Sequence, residues 1–201
     1  MFQYIDQEYD RVDFSQADLK NGELKGCTFI KCVFRGTLMD EIWTTGCQFI
    51  DCDFGGTTFN ASLHTRSAFT NCRFAGANLF VAKFEDCKMI GSDFAGAMMD
   101  GITIQGGDWS YTNLRQANLS KQMLKGIRLI EADLSQCNLQ KADLREADLT
   151  GAKLTKTVLK GADLRGAKTD RIDYRAFDLT GVRLDLEQAV SVARSYGAKV
   201  D

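Results

Sequence analysis

Bulky apolar residues recur along this chain at a strict interval of five. From Phe14, every fifth position up to Leu184 gives 35 sites, of which only Thr44, His64 and Thr169 are not plainly apolar. The residue two before each site is small or Val at 29 of the 35, the exceptions being Ile42, Ile102, Gln122, Ile127, Ile172 and Phe177. A helix spaces its apolar face near 3.6 residues and a half-buried strand spaces its face at 2. Five fits neither; it suits a chain that sends two side chains inward and then turns a corner. The register is clearest at 132–151, which reads ADLSQ, CNLQK, ADLRE, ADLTG. Glycine marks the corner: 14 of the 18 glycines lie two residues after a central site, where a turn with positive φ is reached without steric cost.

After Leu184 the beat stops and DLEQAVSVARSYG follows. Asp185 with Gln188 three residues on forms a capping box, and Gly197 suits the terminating position, so a short helix is predicted from Leu186 to Tyr196. Leu186, Ala189, Val190, Ala193 and Tyr196 fall on one helical stripe, expected to cover the last coil, because an open solenoid end exposes strand edges and core.

The repeat resembles that of the pentapeptide-repeat family: a small residue, Asp or Asn, Leu or Phe, then two variable positions. The resemblance implies an all-β fold, a right-handed quadrilateral parallel β-helix with four repeats per coil, over residues 12–186. Residues 1–11 would form an N-terminal segment, and 187–201 a helix and tail acting as cap and dimerisation element. At about 4.8 Å per coil, the 35 repeats make roughly nine coils. LTGVRL at 179–184, the helix and the tail Ala198–Val200 further resemble the carboxy terminus of the Qnr quinolone-resistance proteins and their mycobacterial relative. That resemblance implies a homodimer joined end to end through Leu184, Leu186, Val190, Tyr196 and Val200. It also implies binding to DNA gyrase or topoisomerase IV in place of DNA, protecting the enzyme from a drug or toxin. The alternative function is a structural or protein-interaction scaffold with another partner.

Charge constrains the mimicry. The net charge is −2 and the pI about 5.5, whereas duplex DNA carries a negative charge about every 1.7 Å. DNA mimicry must therefore be local, with acids such as Asp133, Asp143, Asp148, Asp163, Asp173 and Asp178 lining one surface. The same balance argues against direct nucleic-acid binding, which needs a basic stripe. Proline is absent, as expected where each coil donates backbone N–H groups to the next.

The remaining candidate chemistry is sparse. All seven cysteines (27, 32, 47, 52, 72, 87, 137) occupy the small inward site and read as packing residues. With one histidine there is no zinc spacing, and no nucleophile elbow, phosphate loop or HExxH helix occurs. Neither metal, cofactor nor enzymatic activity is expected. The start MFQYIDQEYDRVDF is not a leader, and no window spans a membrane, so the expected location is cytoplasmic. Two irregular stretches, 37–46 and 61–67, stand out because Thr44 and His64 replace the bulky residue. Either the corner bulges outward there, or the irregularity presents Asp40, Glu41, Trp43, Leu63, His64 and Arg66 to a partner. The column Ile30, Ile50, Ile90 and Ile130 is either an apolar contact ridge or is covered by its neighbours.

Overall fold

A computed structural model describes residues 2–200, in two compact units, 2–113 and 114–200. In the N-terminal unit one face is a six-stranded parallel sheet of β1 (Gln3–Ile5), β3 (Glu23–Lys25), β5 (Trp43–Thr45), β7 (Leu63–Thr65), β9 (Lys83–Glu85) and β10 (Thr103–Gln105). A second is the four-stranded sheet of β2 (Glu8–Asp10), β4 (Thr28–Ile30), β6 (Gln48–Ile50) and β8 (Ala68–Thr70). The register is always twenty residues, for example Tyr4↔Leu24 and Phe29↔Phe49. The other two faces are ladders of single bridges, Asp13–Val33–Asp53–Arg73–Asp93–Asn113 and Asp18–Leu38–Thr58–Asn78–Met98. Four pentapeptides thus complete one coil of a parallel β-helix, as the resemblance implies.

The backbone bonds explain both the repeat and the missing proline. Within one repeat, Thr37 N donates to Phe34 O, Leu38 N to Ala17 O, Met39 N to Thr58 O and Glu41 N to Asn60 O. Where Asp or Asn precedes the central residue, its side chain accepts the fifth N–H, as Asp53 does from Gly55. No N–H in such a repeat is spare, so proline would leave an acceptor unpaired anywhere in it. The corner residue takes positive φ whether or not it is glycine: 21 non-glycine residues lie between 49° and 64°.

The solenoid begins earlier than the sequence suggests. β1 and β2 continue the same twenty-residue register with Tyr4 and Tyr9 at central sites, so residues 3–11 belong to the coils. Inside the unit, phenylalanines stack in columns, Phe14–Phe34–Phe54–Phe74–Phe94 at 4.5 to 5.1 Å between ring centroids. Trp109, one coil on from Met89 in the neighbouring column, stacks on Phe94 at 5.5 Å and lies edge-on to Phe84 at 5.7 Å. The preceding site is Gly107, at φ +87°, where a Cβ would lie 2.1 Å from the Cys87 carbonyl oxygen.

The C-terminal unit keeps the register, with Met123–Asp143–Asp163–Arg183 in one ladder and Arg128–Asp148–Lys168 in another, around a leucine core from Leu114 to Leu164. The change from Phe to Leu centres thus coincides with the boundary between the units. The beat falters once, where Asp173 caps a 3₁₀ turn at Tyr174–Ala176 and the Lys156 amide reaches Ala176 O, one residue further than the pattern. The unit ends in helix α1 (Leu186–Ser195) with the expected capping box.

Candidate functional site

No outward bulge occurs at 37–46 or 61–67. Thr44 and His64 sit on β5 and β7 at the central inward site, 1% and 0% exposed. The pair is possible because each satisfies the other across one coil: Thr44 Oγ1 lies 2.8 Å from His64 Nδ1, and Ser62 Oγ 3.0 Å from Nε2. Ser67 Oγ, 3.1 Å from Thr44 Oγ1, also accepts from the Cys47 amide. Burial pushes the His64 pKa down to about 3, so the ring is neutral. His64 is therefore a core residue and cannot meet a partner, correcting the expectation that it lies at a contact surface.

Its neighbours divide. Trp43 is 56% exposed, with Leu63 beside it in register and Glu41 exposed at the preceding corner. Asp40 is committed locally, accepting from Thr58 Oγ1 at 2.8 Å and from the Asn60 amide and side chain at 3.0 and 2.7 Å. Asn21, Gly22, Glu23, Glu41, Trp43 and Ala61 line a shallow groove at this corner. Arg66 lies apart, on the turn at the opposite end of the β7 face.

The six aspartates of the C-terminal unit do not form a stripe. Asp143 and Asp163 share one ladder, Asp148 is in another, and Asp133 bridges Lys153 on a third; Asp173 has left its ladder to cap the 3₁₀ turn, and Asp178 lies beyond that turn. Each accepts the backbone N–H two residues on, from Ser135, Arg145, Thr150, Arg165, Arg175 and Thr180 respectively to Asp133, Asp143, Asp148, Asp163, Asp173 and Asp178. Five also hold a cation: Asp133 with Arg115, Asp143 with Arg145, Asp148 with Lys168, Asp163 with Arg165 and Arg183, and Asp173 with Arg175. The Arg165 side chain is the largest influence on Asp163 and holds its pKa down to about 2. These carboxylates close turns, and the local acidic surface expected of them is absent.

The negative charge lies elsewhere. Residues 1–113 carry 15 acidic and 9 basic side chains, and residues 114–201 carry 12 and 16, giving −6 and +4. Counting each half separately would have found this in the sequence.

At the C-terminus the docking face differs from expectation. Gln188 is buried, its amide donating to Leu164 O at 2.6 Å and Ala167 O at 2.9 Å, while Asp185 Oδ2 accepts from Gly166 N at 2.7 Å. The last coil offers unpaired backbone groups as well as leucines, and a polar cap satisfies them. The apolar stripe is consequently not covered: Leu186 is 80% and Tyr196 65% exposed, Ala189 is exposed, and Leu184, Val190 and Val200 are half-buried.

Of the isoleucine column, Ile30 is 36% exposed, and Ile50, Ile90 and Ile130 are half-buried. All seven cysteines are buried and unbridged. Among the described residues no His, Cys, Asp and Glu cluster is arranged to hold a metal ion, and no helix is long and apolar enough to cross a membrane.

Residues 10–41 and 127–166 match the family model of pentapeptide repeats, in eight copies. No curated protein matches the chain as a sequence. Among solved structures it is similar to trypsin-treated QnrB1, a plasmid-mediated fluoroquinolone resistance protein, with a TM-score of 0.86 and 22% identity over 98% of this chain and 99% of that one. Full-length QnrB1 gives 0.74 at 21% identity, covering 98% and 100%. HetL, a pentapeptide-repeat protein involved in heterocyst differentiation regulation in the cyanobacterium Nostoc, gives 0.53 at 17% identity, covering 90% and 88%.

Proposed function

We propose that this chain, a pentapeptide-repeat protein with the fold of QnrB1, binds a type II topoisomerase, DNA gyrase or topoisomerase IV, and protects it from an inhibitor. The observation that carries the reading is the end-to-end likeness to a fluoroquinolone resistance protein, which extends through the terminal helix. Purified protein should preserve DNA supercoiling by gyrase in the presence of a fluoroquinolone at micromolar concentration. Supercoiling and drug inhibition both unchanged by the protein would sink the proposal. The paired aspartates of the C-terminal unit favour a second reading, a scaffold for a different protein partner, and that reading gains if the topoisomerase assay is silent.

The protein acts as a homodimer joined through the open stripe of α1, with Leu184, Leu186, Val190, Tyr196 and Val200 at the contact. An exposed Leu and Tyr on one helical face, next to a short apolar tail, are costly to leave in water. Tyr196→Asp places a charge at the centre of that contact, and light scattering should report monomers where the wild type is a dimer. A monomeric wild type at micromolar concentration removes this part of the proposal.

A further inference from the structure

We infer, resting on the topoisomerase reading, that the contact is made by an acid-rimmed apolar ridge on the N-terminal unit, anchored by Trp43, Phe80, Val81 and Met98, which docks on the enzyme's basic DNA-binding surface. These four side chains are 56%, 53%, 38% and 53% exposed. The register places them along one corner: Trp43 pairs with Leu63 and Leu63 with Lys83, while Met98 is one coil on from Asn78, the residue two before Phe80. Three coil steps, roughly 14 Å, separate the two ends. Ala61 and Leu63 lie between, so the apolar surface is continuous.

Val81 gives the ridge a second mark. It occupies a corner at φ +51° and, among the described residues, is the only β-branched residue with positive φ. A β-branched side chain is strained there and glycine is not. The chain nevertheless keeps an exposed Val at this corner, with its Cγ1 2.9 Å from where a Cβ on Gly101 would stand. Backbone strain retained without a packing return points to use of the side chain.

The rim identifies the occupant. Glu23, Asp40 and Glu41 flank the ridge at its Trp43 end and Asp100 at its Met98 end, with Lys83 as the one base within it. None of these acids holds an ion pair among the described residues, in contrast to the paired aspartates of the C-terminal unit, and their unit carries the −6 surplus. An enzyme that grips duplex DNA must present Lys and Arg where phosphates lie. Apolar anchors inside a charged rim are the anatomy of a specific protein interface, and complementary charge adds steering.

The test measures binding of purified DNA gyrase and topoisomerase IV to the full chain by biolayer interferometry. Trp43→Ser with Phe80→Ser and Met98→Ser should weaken binding at least tenfold. Glu23→Gln with Glu41→Gln and Asp100→Asn should slow association severalfold at low salt, a difference that closes at high salt. Val81→Gly should raise the thermal midpoint while weakening binding, a combination that a merely structural role does not produce. Asp143→Asn with Asp163→Asn, on the C-terminal unit, should leave affinity unchanged. Wild-type affinity in the folded ridge variants overturns the ridge alone. No binding by the wild-type chain overturns the topoisomerase reading, and the ridge assignment with it.

Discussion

Lowering the pH from 7 to 5 should remove about 2 kcal/mol of folding stability, and His64 accounts for the loss. In the folded protein burial holds its pKa down to about 3, whereas an unfolded chain titrates histidine near 6.5. Between those values the unfolded state carries the extra proton, so stability is complete above pH 6.5 and falls as the pH drops. His64 is the only histidine, and the depressed aspartates, Asp163 at about 2 among them, begin to matter only below about pH 5. The window from 7 to 5 therefore belongs to one ring. Urea unfolding at several pH values measures it. Replacing the polar group as a unit, Thr44→Leu with Ser62→Ala and His64→Phe, should flatten the profile, because Phe can continue the stack on Phe84, now 4.7 Å from the imidazole. His64→Phe alone strands the Ser62 hydroxyl and leaves Thr44 with Ser67 as its one partner, and should destabilise at every pH. A wild-type profile flat from 7 to 5 would falsify the assignment.

Gly107→Ala should cost about 4 kcal/mol, as much as deleting a large core side chain. The added methyl would stand 2.1 Å from the Cys87 carbonyl oxygen and 2.9 Å from its amide nitrogen, both backbone atoms of the neighbouring coil. Neither can move without opening the ladder beneath Trp109, which is fully enclosed and whose indole N–H has no hydrogen-bond partner among the described residues. Gly46→Ala is the control: φ is +63° and nothing lies within 4 Å of the new carbon. That change should cost only the backbone preference, about 1 kcal/mol. Urea midpoints of the two variants give the comparison, and equal losses would show that the close approach at Gly107 is not real.

The five-residue beat made the coil, the inward cysteines and the terminal capping box legible, because each depends on residues close in sequence. What escaped depends on residues twenty apart. Thr44 and His64 look like defects one at a time and become a satisfied pair only when the coil closes. Tyr4 and Tyr9 keep the phase, but Phe2 and Gln7 stand where a small residue was expected, which hid the first coil. Taken singly the aspartates look like free surface charge, although their position before the central residue commits them to the amide two residues on. The apolar members of the helix do not mark Gln188 as the docking residue, because the end of a solenoid presents carbonyls as well as leucines.

The seven thiols report on a different property. Six belong to the N-terminal unit and Cys137 to the other, and all seven are buried, so no reagent reaches one while its rung is shut; burial also raises the pKa of Cys87 and Cys137 to about 12. A slow alkylating reagent followed by mass mapping would then act as a depth gauge, timing how far fraying travels inward from each end before the ladder reseals.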